Sequence, residues 1–133
     1  MKTTYSVMQI GTFGKELAEK GRVMAGEALG LTGSELSFNY TPKGGFTPFV
    51  HTHKRNEEVY IVLSGEGQFM ADGEEFPIQE GSVIRVTPAA ERAIKAGNTD
   101  LCYICIQAEA GSLKQATNDD GVLTEGKASW MQE

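Results

Sequence analysis

Residues 45–65 read GFTPFVHTHKRNEEVYIVLSG, and this stretch decides the fold because it holds both histidines of the chain. His51 and His53 stand one residue apart, and side chains two positions apart on an extended segment point to the same side. A carboxylate just beyond the short polar turn, where Glu57 and Glu58 stand, can join them. Two imidazole nitrogens and one carboxylate oxygen suit a divalent first-row metal with open positions for water or substrate.

A simpler interpretation of the histidine pair is a solvated sheet edge. Lys54 and Arg55 follow the pair, and charged residues at an edge discourage pairing with another sheet. Against this, Val50 precedes the histidines and the apolar run 59–63 follows them, so the pair stands between elements that need a core. Both interpretations remain open on these residues alone.

The composition is that of one globular domain. The chain has 133 residues, 40% of them hydrophobic and 23% charged, with a formal net charge of -6. The negative charge and the lack of a Lys/Arg cluster predict no nucleic-acid partner. No segment approaches the roughly 18 consecutive apolar residues of a membrane span, and residues 1–5 lack the apolar run of a signal peptide. We expect no membrane partner and a cytoplasmic location.

Turn signals recur along the chain and separate short runs of β-branched and aromatic residues, a pattern that indicates an all-β protein. The clearest hairpin turn is Asp72-Gly73, which suits a type I′ turn. A short helix is predicted over residues 13–20, with Thr12 as a possible N-cap. Strands are predicted at 35–40, 49–53, 59–63, 67–71, 83–86 and 101–108.

The two cysteines lie in a predicted strand. Cys102 and Cys105 are three positions apart, which turns their side chains to opposite faces of a sheet. A redox pair or zinc knuckle is therefore not expected despite the C-x-x-C spacing, and we predict two buried free thiols.

The stretch 45–65 resembles the first motif of the cupin superfamily. That motif has Gly, five residues, His-x-His, three or four residues, Glu, six residues and Gly. Gly45, His51, His53, Glu58 and Gly65 match it without a gap. Glu57 would fit the shorter histidine-to-glutamate spacing but leaves seven residues before Gly65, so it is a reserve ligand.

The second cupin motif is altered. Gly81 and Pro88 align with its glycine and proline if one extra residue is allowed, but its later glycine is Ala89 and its histidine falls on Arg92. The resemblance covers about residues 30–110 and lacks the fourth metal ligand of the family. Arginine cannot replace it, because its guanidinium stays protonated and has no lone pair to give.

The resemblance implies a double-stranded β-helix, or jelly-roll barrel, with a short N-terminal helix. We expect a single domain over 1–133, with the barrel core at about 30–110, an N-terminal arm at 1–29 and a C-terminal tail at 111–133. A divalent metal, Fe, Mn, Ni, Zn or Cu, would be held by His51, His53 and Glu58. Both faces of the strand 59–63 are apolar, which predicts packing on another sheet or on a second copy in a homodimer.

Three outcomes are open for Arg92 if the chain folds as cupins do. It can grip the anionic end of a small-molecule ligand beside a bound metal. It can instead pair with Glu58 in a metal-free pocket for an organic anion. It can also turn outward and pair near Glu91 or with Asp100.

Three functions remain open as well: a metal-dependent enzyme of the oxygenase, isomerase or decarboxylase kind, a non-catalytic binding protein, or a structural homodimer whose barrel is only a scaffold. Further substrate-binding candidates, placed in the cavity by strand alternation, are Phe49, Tyr60, Gln68 and Tyr103.

Overall fold

The computed structural model of the protein describes residues 4–114 and 120–131. Eight strands and three short helical segments follow one another along these residues. In chain order they are α1 (Glu16–Lys20), β1 (Arg22–Met24), α2 (Gly26–Leu29), β2 (Glu35–Thr41), β3 (Asn56–Ser64), β4 (Glu66–Ala71), β5 (Glu74–Gln79), β6 (Val83–Val86), β7 (Arg92–Ala96), β8 (Leu101–Glu109) and a 3-10 turn, Ser129–Met131.

The strands form two antiparallel sheets that share one core. The larger sheet has the order β1-β2-β8-β3-β6 and the smaller one β5-β4-β7. Tyr60 of the larger sheet packs edge-on against Phe69 of the smaller, with ring centroids 4.9 Å apart. The predicted all-β jelly-roll architecture is confirmed, in the form of a sandwich whose two sheets do not close into one ring over the described residues.

Strand β3 carries the site and the core on the same face. Glu58, Tyr60 and Val62 are buried at every second position, as the pleat requires. The alternate residues Val59, Ile61 and Leu63 are half-buried on the outer face of the larger sheet. The inner face of β3 is therefore more deeply buried than its outer face, and Glu58 lies on the inner face against the core.

Residues with positive φ form the two connections that follow this strand, from β3 to β4 and from β4 to β5. Asp72 and Gly73 both have positive φ, 50° and 83°, which confirms the type I′ hairpin between β4 and β5. Gly65, the last residue of the histidine motif, has φ 89° and lies so close to Asp100 that a Cβ would collide with its carbonyl oxygen. This explains in physical terms why a glycine ends the motif.

The predicted strand at 49–53 is wrong. Phe46 and His51 make isolated bridges to Lys95 and Arg92, so the segment runs along the edge of β7 without a regular ladder. The register slips between these bridges, where Pro48 has no N–H to donate. The histidine segment is thus an irregular addition to the smaller sheet.

The N-terminal arm packs onto the larger sheet. Helix α1 begins at Glu16, later than predicted, and Thr12 is not its N-cap. Thr12 instead makes hydrogen bonds to the Glu16 carboxylate through its hydroxyl and its backbone N–H. Phe13 stacks on Phe38, with ring centroids 5.8 Å apart. Strand β1 then pairs with β2 and extends the sheet.

Both cysteines are buried free thiols on opposite faces, as predicted. Cys105 faces the interior, whereas Cys102 lies under the N-terminal arm, with its Sγ 3.8 Å from the Phe13 carbonyl oxygen.

No helix among residues 4–114 and 120–131 is long and apolar enough to cross a membrane.

Candidate metal centre

The histidines are placed by backbone contacts to the loop before β7 and to β7 itself. The His51 N–H donates to the Arg92 carbonyl at 3.4 Å, and the Arg92 N–H donates back at 3.2 Å. The His53 N–H donates to the carbonyl of Pro88 at 2.8 Å. These bonds hold both imidazoles opposite β3, from which Glu58 projects.

Side-chain atoms of His51, His53 and Glu58 converge within 4.8 Å of one another. His53 Nε2 lies 3.2 Å from Glu58 Oε2, and His51 Nε2 lies 3.9 Å from Oε1. Two ligands about 2.1 Å from one metal are about 2.9 Å apart at a right angle and about 3.4 Å apart at a tetrahedral angle. The spacing of His53 and Glu58 falls in this range.

The Nε2 atom of His53 is buried and has no hydrogen-bond partner among the described residues. Glu58 Oε2 lies 3.2 Å away, yet no hydrogen bond joins the two atoms. A buried polar atom without a partner costs about 1–3 kcal/mol, so such atoms call for an explanation. A cation between His53 and Glu58 would provide one, and the donor set therefore fits a divalent metal.

The protonation states also suit a cation. Burial lowers the pKa of His51, and this outweighs the opposing effect of the Glu58 charge, so the imidazole stays neutral. Burial raises the pKa of Glu58, but hydrogen bonds from Arg92, Tyr60 and Cys105 bring the net value below the ordinary one. Neutral imidazole and ionised carboxylate are the forms that bind metals.

The two carboxylate oxygens of Glu58 differ in the hydrogen bonds that they accept. Its Oε1 accepts hydrogen bonds from Arg92 Nη1 at 2.7 Å and from Tyr60 Oη at 2.8 Å. Its Oε2 accepts from Cys105 Sγ at 3.3 Å and faces His53. Burial, followed by the Glu58 charge, raises the pKa of Cys105 to about 12, so the sulfur remains a thiol donor. Oε2 is therefore the oxygen that a metal would use.

Arg92 is fully buried, with 0% exposure, and its guanidinium is held by backbone carbonyls. Nε and Nη2 donate to three backbone carbonyls of the preceding loop, those of Thr87, Pro88 and Ala90. Nη1 completes the set on Glu58. The alternative in which Arg92 turns to the surface is wrong, and Asp100 instead accepts hydrogen bonds from Tyr40 and from the Lys43 N–H.

A cavity of about 250 Å³ opens beside these groups. Of the residues predicted from sequence, His51, Glu58, Arg92, Tyr60, Phe49 and Tyr103 line it. Phe49 stands at the rim against His51, with ring centroids 5.8 Å apart, and is 60% exposed. Gln68 does not reach this space. It is exposed and borders a separate hollow with Phe46, Met70 and Lys95.

Sequence reasoning missed the polar wall of this cavity. Ser37 and Asn39 of β2 are buried and line it, while Arg22 of β1 stands beside them. Asn39 Nδ2 donates to Ser37 Oγ at 3.0 Å and to the Tyr103 carbonyl at 3.4 Å. The sequence carried one signal of this wall: Ser37 and Asn39 alternate with the apolar residues Leu36 and Phe38 along β2.

A jelly-roll sandwich that brings two histidines and a glutamate to the edge of an internal cavity defines the cupin class. The chain belongs to this family: a sequence model described as the Cupin domain matches residues 38–107. The match includes His51, His53 and Glu58 and leaves out Arg22 and β1.

Solved structures agree with this assignment. The chain is 40% identical to a cupin protein from Bacteroides fragilis, with a TM-score of 0.83 over 93% of this chain and 99% of that one. It is 25% identical to a predicted oxalate decarboxylase from Thermotoga maritima, with a TM-score of 0.54 over 72% of this chain and 74% of that one.

Among curated proteins, an oxalate-binding protein from Thermotoga maritima is 34% identical over 58 residues, which are 43% of this chain and 48% of that protein. A protein from Methanocaldococcus jannaschii is 32% identical over 62 residues, 46% of this chain and 50% of that protein. The chain spans about half the length of these curated relatives.

Proposed function

We propose that this cupin binds one divalent metal ion through His51, His53 and Glu58 and holds a small organic anion in the adjoining cavity. The observation that carries the proposal is the buried, unpartnered Nε2 of His53, 3.2 Å from a carboxylate oxygen that is itself fixed in place. A metal bound there would supply a Lewis acid with open positions for a ligand.

The surrounding residues prepare the glutamate for this task. Arg92 and Tyr60 hold Oε1, so the carboxylate presents Oε2 in one orientation without losing conformational entropy on binding. Because the Arg92 guanidinium is close to the metal position, it weakens affinity by charge repulsion, and Glu58 lies between the two cations. We expect affinity to be moderate for a site with two histidines and a carboxylate.

Two comparisons support a small organic anion as the ligand class, since each matches a Thermotoga maritima protein whose name mentions oxalate. A metal-dependent oxygenase, isomerase or decarboxylase reaction would take place on such a ligand. The Ser37 hydroxyl, whose oxygen is held by Asn39 Nδ2, can donate to its oxygens, and a cavity of about 250 Å³ limits it to metabolite size.

A second candidate function is a metal-free binding protein. The 2.7 Å ion pair between Arg92 and Glu58 favours it, because the carboxylate charge is already balanced. The two candidates differ in one measurement: a thermal-shift screen of organic acids, run with and without a chelator. Stabilisation that survives the chelator supports the metal-free protein, and stabilisation that disappears supports the metal centre.

Metal binding itself is directly measurable. Protein purified without chelators and then titrated with Mn, Fe, Ni, Zn or Cu should bind one ion per chain and gain thermal stability by mass action, about 2.7 kcal/mol at a free concentration 100 times Kd. Elemental analysis and calorimetry give the stoichiometry. If the protein takes up none of these metals, the metal centre is refuted, whatever happens to its thermal stability.

We also propose a homodimer formed through the outer face of the larger sheet. Two cross-strand rows of half-buried or exposed apolar residues cover it: Leu36, Ile106 and Val59 in one row, and Ile104, Ile61 and Val83 in the other. From strand spacing and rise, the face measures roughly 500 Å². A standard interface needs about 800 Å² per partner, so this face would form the apolar centre of a larger contact.

Light scattering at micromolar concentration should give the mass of two chains. Ile61→Lys places a charge at the centre of the face and should shift the mass to one chain, since a buried unpaired charge is costly. Gln68→Lys, on the exposed side of the smaller sheet, is the matched control and should leave the dimer intact. A wild-type monomer contradicts this proposal.

A further inference from the structure

The cavity has a second arginine at its outer wall, contributed by strand β1. Arg22 pairs in register with Asn39 of β2 and lines the same cavity as His51, Tyr103 and Glu58. We propose that Arg22, and not Arg92, receives the anionic end of the ligand, and that the ligand is a short dicarboxylate or oxo-acid that reaches from Arg22 toward the metal centre. This inference rests on the proposed function.

Arg92 has little donor capacity left for a ligand. Of the five N–H groups of a guanidinium, those on Nε and Nη2 point at backbone carbonyls 2.7–3.1 Å away. Nη1 donates to Glu58 at 2.7 Å. A bidentate grip on a carboxylate requires two parallel N–H groups on one edge, and every edge of this guanidinium already has a protein acceptor.

Arg22 is in the opposite situation. It is exposed, and over residues 4–114 and 120–131 no acidic side chain lies within ion-pair distance of it. The N–H groups of its guanidinium are therefore available to a carboxylate. The net charge of the protein is -6, so such a cation is a distinct feature of its surface. A cation standing alone at the mouth of a cavity attracts anions that the rest of the surface repels.

The strand register places the Arg22 side chain on the cavity side of the larger sheet, because its cross-strand partner Asn39 is buried on that side. His51, Tyr103 and Cys105 line the same cavity. These groups lie on β8 and on the histidine segment, so the guanidinium faces the space between the two sheets. A ligand anchored there would have its far end near His51.

The intervening wall suits oxygen atoms. Ser37 is buried on the strand next to Arg22, and the hydroxyl group of Thr41 borders the same space. Hydroxyl groups can donate hydrogen bonds to the oxygens of a dicarboxylate, which an apolar wall cannot do. The combination selects a ligand with a charged end and a second oxygen-bearing end.

The test is calorimetry with oxalate, malonate and succinate on metal-loaded and metal-free protein, comparing wild type with Arg22→Gln. We expect the Kd of the best-bound dicarboxylate to rise at least about tenfold in Arg22→Gln, since the guanidinium supplies two charge-assisted hydrogen bonds. The metal Kd should change less than twofold. Arg85→Gln, on the outer face of the same sheet, is the matched control and should bind like wild type.

The two proposals fail in different ways. If the protein takes up no metal yet Arg22→Gln still weakens dicarboxylate binding, the metal centre is refuted and Arg22 stands. If Arg22→Gln and Arg85→Gln bind alike, or if wild type binds none of the three anions at millimolar concentration, the assignment of Arg22 is overturned whatever the metal result.

Discussion

Replacing Arg92 by methionine should lower the free energy of unfolding by about 3–5 kcal/mol, the cost of removing one partner of a buried ion pair. Glu58 is 4% exposed and would lose its counter-charge, while three loop carbonyls would lose their donor. Urea denaturation followed by circular dichroism measures the change. We therefore expect this single substitution to remove a large part of the stability of a domain of this size.

Two further variants make the Arg92 result interpretable. Arg55→Met changes an exposed arginine and should stay within about 0.5 kcal/mol of wild type. The double variant Arg92→Met with Glu58→Met removes both charges and should be more stable than Arg92→Met alone, because the uncompensated charge is gone. If Arg92→Met is as stable as Arg55→Met, the ion pair does not support the fold.

Glu58→Gln should weaken metal binding by more than about 100-fold. Loss of an outer-shell partner typically costs 10–100-fold, and this substitution removes the anionic ligand itself. The matched control is Glu57→Gln, because Glu57 is the neighbouring residue and a reserve ligand by spacing, yet it lies on the opposite face of β3. Calorimetric titration with Zn or Mn measures both variants, and equal affinities would contradict the assignment of Glu58.

Glu58→Gln also leaves Arg92 without a full counter-charge, so a second variant separates binding from folding. His53→Ala removes the unpartnered nitrogen without touching the contacts of Arg92. It should lose metal affinity to a similar extent while its melting temperature without metal stays close to that of wild type. A large fall in that melting temperature would show that His53 serves the fold rather than a metal.

The candidate ligands were predictable from sequence only in part. His51 and His53 are two residues apart and two acidic residues follow a short turn, but the cupin resemblance selected Glu58 over Glu57. The histidine segment lies along β7 of the smaller sheet, so the approach of its imidazoles to Glu58 on β3 depends on the packing of the two sheets. The regular strand predicted at 49–53 does not form, because Pro48 has no N–H to donate and the register slips between Phe46 and His51.

The sequence did not predict which face of β2 lies inside the protein. Its alternation shows that Ser37 and Asn39 share one side and Leu36 and Phe38 the other, but period two does not say which side is inside. In the structure the polar side lines the cavity, and the apolar side is covered in part by Phe13 of the N-terminal arm. The usual expectation of apolar residues inside therefore fails at a ligand cavity.

By itself, the amino-acid sequence determined the all-β class, the Asp72-Gly73 hairpin and the opposed free thiols, since each follows from residues that are near neighbours. The set of His51, His53 and Glu58 followed from the resemblance to cupins. Only the tertiary structure decided that Arg92 is buried and paired with a carboxylate 34 positions away, and that Arg22 stands at the cavity. The physical reason is that the Glu58 carboxylate and the cavity walls come from strands distant in sequence, and no local pattern encodes which distant strands surround a long charged side chain.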